Sequence, residues 1–238
     1  MYKNKKIIAI IPARGGSKRI PKKNIKFFCG LPLIAHTIKS ALNSKYIDRV
    51  IVSTDSKEIM NIVKKYKAEA PFLRPKYLSE DDIGPDYILY QHTVKWLKKH
   101  ESYKPDIIVE LQPTSPLRIS EDIDSSIKKI VDSKADTVLS LCEAKSHPSL
   151  IKKISKGDIV SDYISDAKKY FGRQDFPKAY IFNGAILAVT HEQLMLKNSD
   201  IGKNIRAVIM PFDRSIDIDD NIDFLFAEIL KRKYAKNN

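Results

Sequence analysis

Five aliphatic residues, Ile7 to Ile11, run without alternation to Pro12 and empty into a strongly cationic loop carrying adjacent glycines, Gly15 and Gly16. A short unbroken apolar run of this kind fits a strand buried on both faces, as in a parallel sheet. The loop behind it holds Arg14, Ser17, Lys18, Arg19, Lys22 and Lys23. Glycines let a backbone approach an anion closely, and successive N–H groups can form an anion-binding nest. Arg and Lys place charge where phosphoryl chemistry builds it up. The spacing is neither G-x-x-x-x-G-K-[ST] nor G-x-G-x-x-G, which excludes two common phosphate loops. On these residues alone, a solvated basic turn remains an equal alternative.

Further apolar runs follow at Val50–Val52, Ile107–Leu111 (broken only by Glu110), Thr137–Leu141, Ile186–Val189 and Ala207–Met210. Between them lie segments with helical periodicity: Pro32–Asn43, Lys57–Lys67, about Asp86–Lys99, a helix from Ser120, a short one at His191–Leu196, and about Asp220–Lys233. The last carries Ile222, Leu225, Phe226 and Ile229 on one face. Strands joined by helices predict a single three-layer α/β domain over residues 1–238 with a mostly parallel sheet. Ligands of such sheets sit beyond the carboxyl ends of the strands, so the loops after Ile11, Val52 and Leu111 share one rim. Regularity breaks at about 145–182, where a hairpin-like Ile151–Val160 turns at Gly157-Asp158 and a polar-aromatic stretch, Tyr163–Arg173, follows. Such an excursion is a lid or an oligomerisation arm.

Composition narrows the function classes. The formal charge is +13, but the lysines are spread along predicted helices and no nucleic-acid motif is present. That argues against a nucleic-acid partner. No apolar stretch approaches the length of about 20 residues that spans a bilayer, so no membrane association is expected. The N-terminus runs directly into the first strand, and two cysteines, Cys29 and Cys142, are too few for a disulfide framework. Both features predict a cytoplasmic protein.

Asp55 ends a strand, but Asp55-Ser56 also suits an N-cap for the helix Lys57–Lys67, and capping outweighs chemistry for Asp55. His92, one turn from Trp96, is expected to pack rather than react. Gln112, Thr114 and Ser115 offer hydrogen-bonding groups at a strand's carboxyl end, in a loop fixed by Pro113 and Pro116, with Ser120 capping the next helix. Asp217 and Asp219 have the spacing that points both carboxylates to one side of an extended segment, which suits a hard cation. Asp220 and Asp223 cap the last helix.

Five ordered blocks span most of the chain: Pro12-Ala13-Arg14-Gly15-Gly16-Ser17-Lys18-Arg19 with Pro21, Lys23 and Asn24; Val52-Ser53-Thr54-Asp55; Leu111-Gln112-Pro113-Thr114-Ser115-Pro116-Leu117-Arg118; Asn183-Gly184-Ala185; and Ser215-Ile216-Asp217-Ile218-Asp219. Together they resemble the CMP-sialic acid synthetases (N-acylneuraminate cytidylyltransferases), including the related legionaminate and pseudaminate cytidylyltransferases. The resemblance implies a Rossmann-like nucleotidyltransferase fold. It also implies a reaction of CTP with a nine-carbon 2-keto sugar acid that gives the CMP-sugar and diphosphate. Mg²⁺ is the implied cofactor, with Mn²⁺ able to substitute, and the implied assembly is a homodimer in which the arm completes the partner's site. Ala13, Arg14, Gly15, Gly16, Ser17, Lys18, Lys23 and Asn24 would bind the nucleotide, with Arg14, Lys23 and Asp217 catalytic. Asp217 and Asp219 would hold the metal, and Gln112, Arg173 and Asn183 the sugar acid. The chain departs from the pattern at Ile83-Gly84-Pro85, where relatives often have small hydroxyl residues, and at Ile181, where some have a second arginine. The alternatives are a 3-deoxy-manno-octulosonate cytidylyltransferase, with a similar Pro-Ala-Arg opening, and a non-catalytic basic nucleotide- or nucleic-acid-binding protein. Lys23-Asn24 and the Asp217-x-Asp219 pair favour the nonulosonate branch.

Overall fold

The computed structural model describes residues 1–80, 86–164 and 176–236. In chain order the elements are β1 (Ile7–Pro12), β2 (Phe27–Phe28), β3 (Leu31–Pro32), α1 (Leu33–Leu42), β4 (Arg49–Ser53), α2 (Lys57–Lys65), α3 (Tyr87–Glu101) and β5 (Ile107–Leu111). There follow α4 (Ser120–Ser133), β6 (Thr137–Glu143), β7 (Lys152–Ser155), β8 (Ile159–Asp162), β9 (Tyr180–Thr190), α5 (His191–Met195), β10 (Ile205–Ile209) and α6 (Asn221–Lys236).

The main sheet has the order β10-β6-β9-β5-β1-β4. β1 is parallel to β4 and β5, and β10 to β6, while β9 runs antiparallel between β5 and β6. The expected mostly parallel sheet is present, with β9 as its reversed strand. β1 divides its side chains by the period of two that a strand imposes. Ile7, Ala9 and Ile11 pack under α1, α2 and α4, whereas Ile8 and Ile10 pack under α3 and α5. Those two faces are the outer layers of a three-layer domain. A third cluster joins Ile20, Phe28, Leu117, Ile216 and Ile218 to Phe224 and Ala227 of α6, tying the loop after β1 to the end of the chain.

Several boundaries differ from expectation. The run read as Ile186–Val189 is the buried half of a strand that begins at Tyr180, where it pairs with Glu143. The chain therefore leaves the sheet after Glu143 and returns beside the same residue. α2 stops at Lys65 rather than Lys67, because Lys67 takes a left-handed φ of 62°. α4 begins with Ile119 as its cap residue, whose N–H donates to Asp122 Oδ2 at 3.1 Å, so Ser120 is helical rather than capping. Asp220 and Asp223 do cap α6, through Asp220 Oδ1 on the Ile222 and Asp223 N–H groups. The apolar stripe of α6 lies opposite to the core. Phe224 and Ala227 are buried, while Ile222, Leu225, Phe226 and Ile229 face outward. Within the inserted segment, β7 and β8 form a hairpin whose turn has positive φ at Gly157 and Asp158. Ile154, Ile159 and Val160 on it are exposed.

Candidate active site

β1 ends at Pro12, and the Ala13 N–H donates to the Ser53 carbonyl at 2.9 Å, which fixes the direction of the basic loop. Ala13 is itself fully buried. The next turn is shaped by Asp55, whose Oδ1 accepts the Gly15 N–H at 2.8 Å. A Cβ at residue 15 would stand 3.1 Å from the Ser56 Cβ, so the close approach of these two loops favours glycine there. Asp55 thus holds the loop, and the capping role expected of it belongs to Ser56, whose Oγ accepts from the Ile59 N–H at 3.4 Å. The expected backbone nest is not formed: neither glycine takes a positive φ, and the Gly15 N–H is already engaged. Cationic function in this loop therefore rests on side chains.

Those side chains converge. Lys22 is left-handed (φ 52°), which turns the chain so that Lys22 pairs outward with Glu58 while Lys23 points in. Lys23 Nζ donates to the Ile218 carbonyl at 2.6 Å and lies 3.6 Å from Asp219 Oδ1. Arg19 Nη1 lies 3.2 Å from Asp219 Oδ2. Asn24 is buried and donates from Nδ2 to the Arg14 carbonyl at 2.9 Å, bracing the loop from behind.

The opposite wall comes from β5. Gln112 Nε2 donates to Glu110 Oε1 at 3.2 Å, and the Thr114 hydroxyl lies 3.4 Å from Gln112 Oε1. Arg118 anchors this loop from inside the protein, donating to the Ala185 carbonyl at 2.6 Å and to Thr37 Oγ1 at 3.0 Å. Its guanidinium is completely desolvated, which lowers its pKa to about 9. Below it, β9 bulges. The pairing register with β6 shifts between Leu139 and Leu141, and the Ser140 hydroxyl fills the gap by donating to Asn183 Oδ1 and accepting from the Ile186 N–H. Asn183 Nδ2 donates to Ser215 Oγ at 2.8 Å, and its Oδ1 also accepts from the Ala185 N–H. Asn183 is buried with both ends of its amide engaged, so it builds the bulge; its expected contact with the sugar acid finds no open donor or acceptor. The product of the bulge is Gly184, at φ 66°, with Gln112 Oε1 and Asp217 Oδ2 each about 4 Å from where its Cβ would stand. Bulges commonly re-aim residues beside active sites in this way.

The Asp217 carboxyl is raised above the ordinary range by local desolvation, with repulsion from Asp219 adding to it; Thr114 and Lys23 act in the opposite direction. A divalent cation would relieve that pair. Mg²⁺ typically takes one or two carboxylates and completes its shell with phosphate and water oxygens, so this donor set fits it. Among the described residues no group of three or more metal-type side chains occurs.

All these walls enclose a cavity of about 590 Å³. Arg14, Ser17, Lys18, Lys23, Asn24, Gln112 and Asp219 line it. Ala13, Gly15, Gly16, Asn183 and Asp217 stand behind or beside that lining, and Arg173 lies outside the described residues. Arg74, Asp86, Leu89, Tyr90 and Glu110, none of them in the five motif blocks, form the far end. Glu110 had one signal, as the polar residue interrupting an otherwise apolar strand. His92 packs edge-on against Phe72 with ring centroids 5.0 Å apart, away from the cavity lining, as expected.

A three-layer sheet with a cationic loop, a paired carboxylate and a polar cleft along its carboxyl rim defines a nucleotide-handling α/β protein. The cytidylyltransferase family model matches residues 8–203, and the chain belongs to that family of nucleotidyltransferases. It is 34% identical over 226 residues to the pseudaminic acid cytidylyltransferase of Campylobacter jejuni serotype O:2, covering 94% of this chain and 96% of the relative. It is 33% identical over 228 residues to the CMP-N,N'-diacetyllegionaminic acid synthase of Legionella pneumophila, with the same two coverages. Among solved structures, a CMP:2-keto-3-deoxy-manno-octonic acid synthetase complexed with CTP aligns with a TM-score of 0.68 at 20% identity, covering 96% of this chain and 99% of that one. At that identity the likeness is one of fold.

Proposed function

We propose that this chain transfers a cytidylyl group from CTP to the anomeric hydroxyl of a nine-carbon 2-keto sugar acid of the sialic type, releasing diphosphate. The observation that supports it best is the single cleft joining a cationic loop to Gln112, beside the Asp217–Asp219 pair, in a chain about one-third identical to pseudaminic and legionaminic acid synthases.

Such a transfer asks little covalent work of the protein, so positioning and charge carry it. Arg14 and Lys23 would neutralise phosphate charge, with Lys18 a weaker contributor at the open edge. Asn24 acts through the loop it braces. Asp217 and Asp219 would hold Mg²⁺, which when bound supplies positive charge against the triphosphate. Gln112 would contact the sugar acid, and Arg173, carried over by resemblance, its carboxylate.

The functional unit in this reading is a cytoplasmic homodimer. Its supports are the outward apolar stripe of α6 and the exposed Ile154, Ile159 and Val160 of the β7–β8 hairpin, surfaces a lone chain leaves wet. A two-stranded hairpin with no core of its own is marginal until something covers it.

The test is diphosphate release from CTP with N-acetylneuraminate, legionaminate, pseudaminate and 3-deoxy-manno-octulosonate offered separately, with and without Mg²⁺. Turnover of a nonulosonic acid is expected; turnover of the octulosonate alone would overturn the substrate class.

A further inference from the structure

Glu110 is nearly buried, lines the far end of the cleft, and accepts from Gln112 Nε2 at 3.2 Å. We propose that Glu110 is a positioning residue that decides which end of the Gln112 amide the site presents to its substrate. The inference rests on Gln112 contacting the sugar acid, as in the function proposed above.

Besides Glu110, the Gln112 amide meets the Thr114 hydroxyl, near its Oε1. A hydroxyl both donates and accepts, so Thr114 satisfies either orientation of the amide. An ionised carboxylate only accepts. Glu110 in that form admits Nε2 alone on its side and turns Oε1 toward Gly184 and Asp217. A protonated Glu110 has an O–H that can donate to Oε1, so the amide is free to reverse. The site's polarity at Gln112 thus follows the charge on Glu110.

That charge changes in an accessible range. Desolvation raises the Glu110 carboxyl to about 7; Asp86 and Asp200 push the same way, while hydrogen bonding to Gln112 and proximity to Tyr90 oppose it. The buried Tyr90 hydroxyl borders the carboxyl without completing a hydrogen bond of good geometry. Arg118 is the buried cation that feels the Glu110 charge, and Arg74 lines the same end of the cleft. Arg118 and Arg74 are donors only, and it is Glu110 whose Oε1 accepts from Gln112 Nε2.

The experiment compares wild type with Glu110→Gln, which keeps the volume and, like the protonated acid, both donates and accepts. Two readouts are taken below and above about pH 7: steady-state kinetics with each substrate varied in turn, and the side-chain ¹⁵N–¹H signals of Gln112, assigned through Gln112→Ala. In wild type, kcat/KM for the sugar acid should rise through about pH 7 and the Gln112 signals should titrate with it. Glu110→Gln should abolish both inflections and raise KM for the sugar acid about tenfold on the alkaline side, the size of one net hydrogen bond. KM for CTP should stay as it is. An unchanged pH profile in the variant, or equal effects on both substrates, would overturn the positioning role while leaving the function intact. Failure of wild type to turn over any nonulosonic acid would overturn the function and this inference with it.

Discussion

Lys23 Nζ donates to the carbonyl of Ile218 at 2.6 Å, joining the first motif of the chain to the last. This contact orients the ammonium beside Asp219 and fixes the extended segment that carries both Asp217 and Asp219. A half-buried lysine in that position serves two ends of the site at once. Lys23→Met keeps most of the buried stem and removes the charge. It should lower kcat/KM for CTP by roughly 10²–10³-fold, as loss of a charge-stabilising donor does. A melting curve close to wild type would separate this from unfolding, and retention of full activity would refute the role.

The adjacent glycines should respond differently to alanine. At Gly15 the new methyl meets the Ser56 Cβ at 3.1 Å, against a backbone held by Asp55, so Ser56 must give by a few tenths of an ångström. We expect Gly15→Ala to cost about 1–3 kcal/mol of stability, in the range of overpacking changes. Nothing lies within 4 Å of the corresponding point at Gly16. Gly16→Ala should therefore fold normally, and any loss should appear in KM for CTP as the methyl meets bound nucleotide. Urea denaturation of both variants, paired with CTP titration, checks the contrast.

The place of the basic loop was legible because an unbroken aliphatic strand that empties into Arg14-Gly15-Gly16 delivers it to the carboxyl rim of the sheet. What lay beyond reading was how loops share labour. Asp55 and Ser56 both suit an N-cap, and only the approach of Gly15 decides which residue caps and which holds the neighbouring loop. The bulge at Asn183-Gly184-Ala185 was invisible as geometry, since it depends on a register shift filled by the hydroxyl of Ser140 from another strand. The periodicity of α6 identified its apolar stripe correctly but carried no information about which side the core would occupy. Glu110 was visible as an oddity in β5, yet its meaning needed Gln112 beside it.

If Asp217 and Asp219 hold the metal, neutralising either carboxylate should weaken its binding. Asp217→Asn and Asp219→Asn should each lose most turnover at limiting Mg²⁺. Asp219 also balances Arg19 and Lys23, so its variant should in addition weaken the loop's order. Rates near wild type at limiting Mg²⁺ for both variants would remove the metal from these residues. Equilibrium binding of Mn²⁺ followed by electron paramagnetic resonance gives a readout independent of turnover.

The outward stripe of α6 offers a direct handle on assembly. Ile222 and Ile229 are 76% and 65% exposed, so a charge there costs the isolated chain almost nothing. Ile229→Glu should leave the fold and its melting cooperativity intact while shifting sedimentation from dimer to monomer if α6 contributes to the interface. Unchanged sedimentation would remove α6 from the proposed interface, and Ile154→Lys on the β7–β8 hairpin makes the same test of the other exposed apolar surface.

Glu110 should make wild type less stable at alkaline pH than its amide variant. The sign follows from its raised pKa. A carboxyl lifted from 4.5 to about 7 in the folded state holds its proton more tightly there than in the unfolded chain. Its stabilising contribution is complete below the unfolded value and is lost as pH rises through about 7. The span corresponds to about 3 kcal/mol as an upper bound, because any relaxation around the charge reduces it. Glu110→Gln carries no ionisation and should match wild type below pH 4.5 but exceed it above about pH 7. Urea denaturation at those two conditions measures the difference. A gap that is the same at both would mean the carboxyl does not change charge in this range, and the pH-dependent grip on Gln112 would fall with it. A gap that opens only on the alkaline side would show a residue kept at a cost to stability, the trade expected where function needs a buried charge.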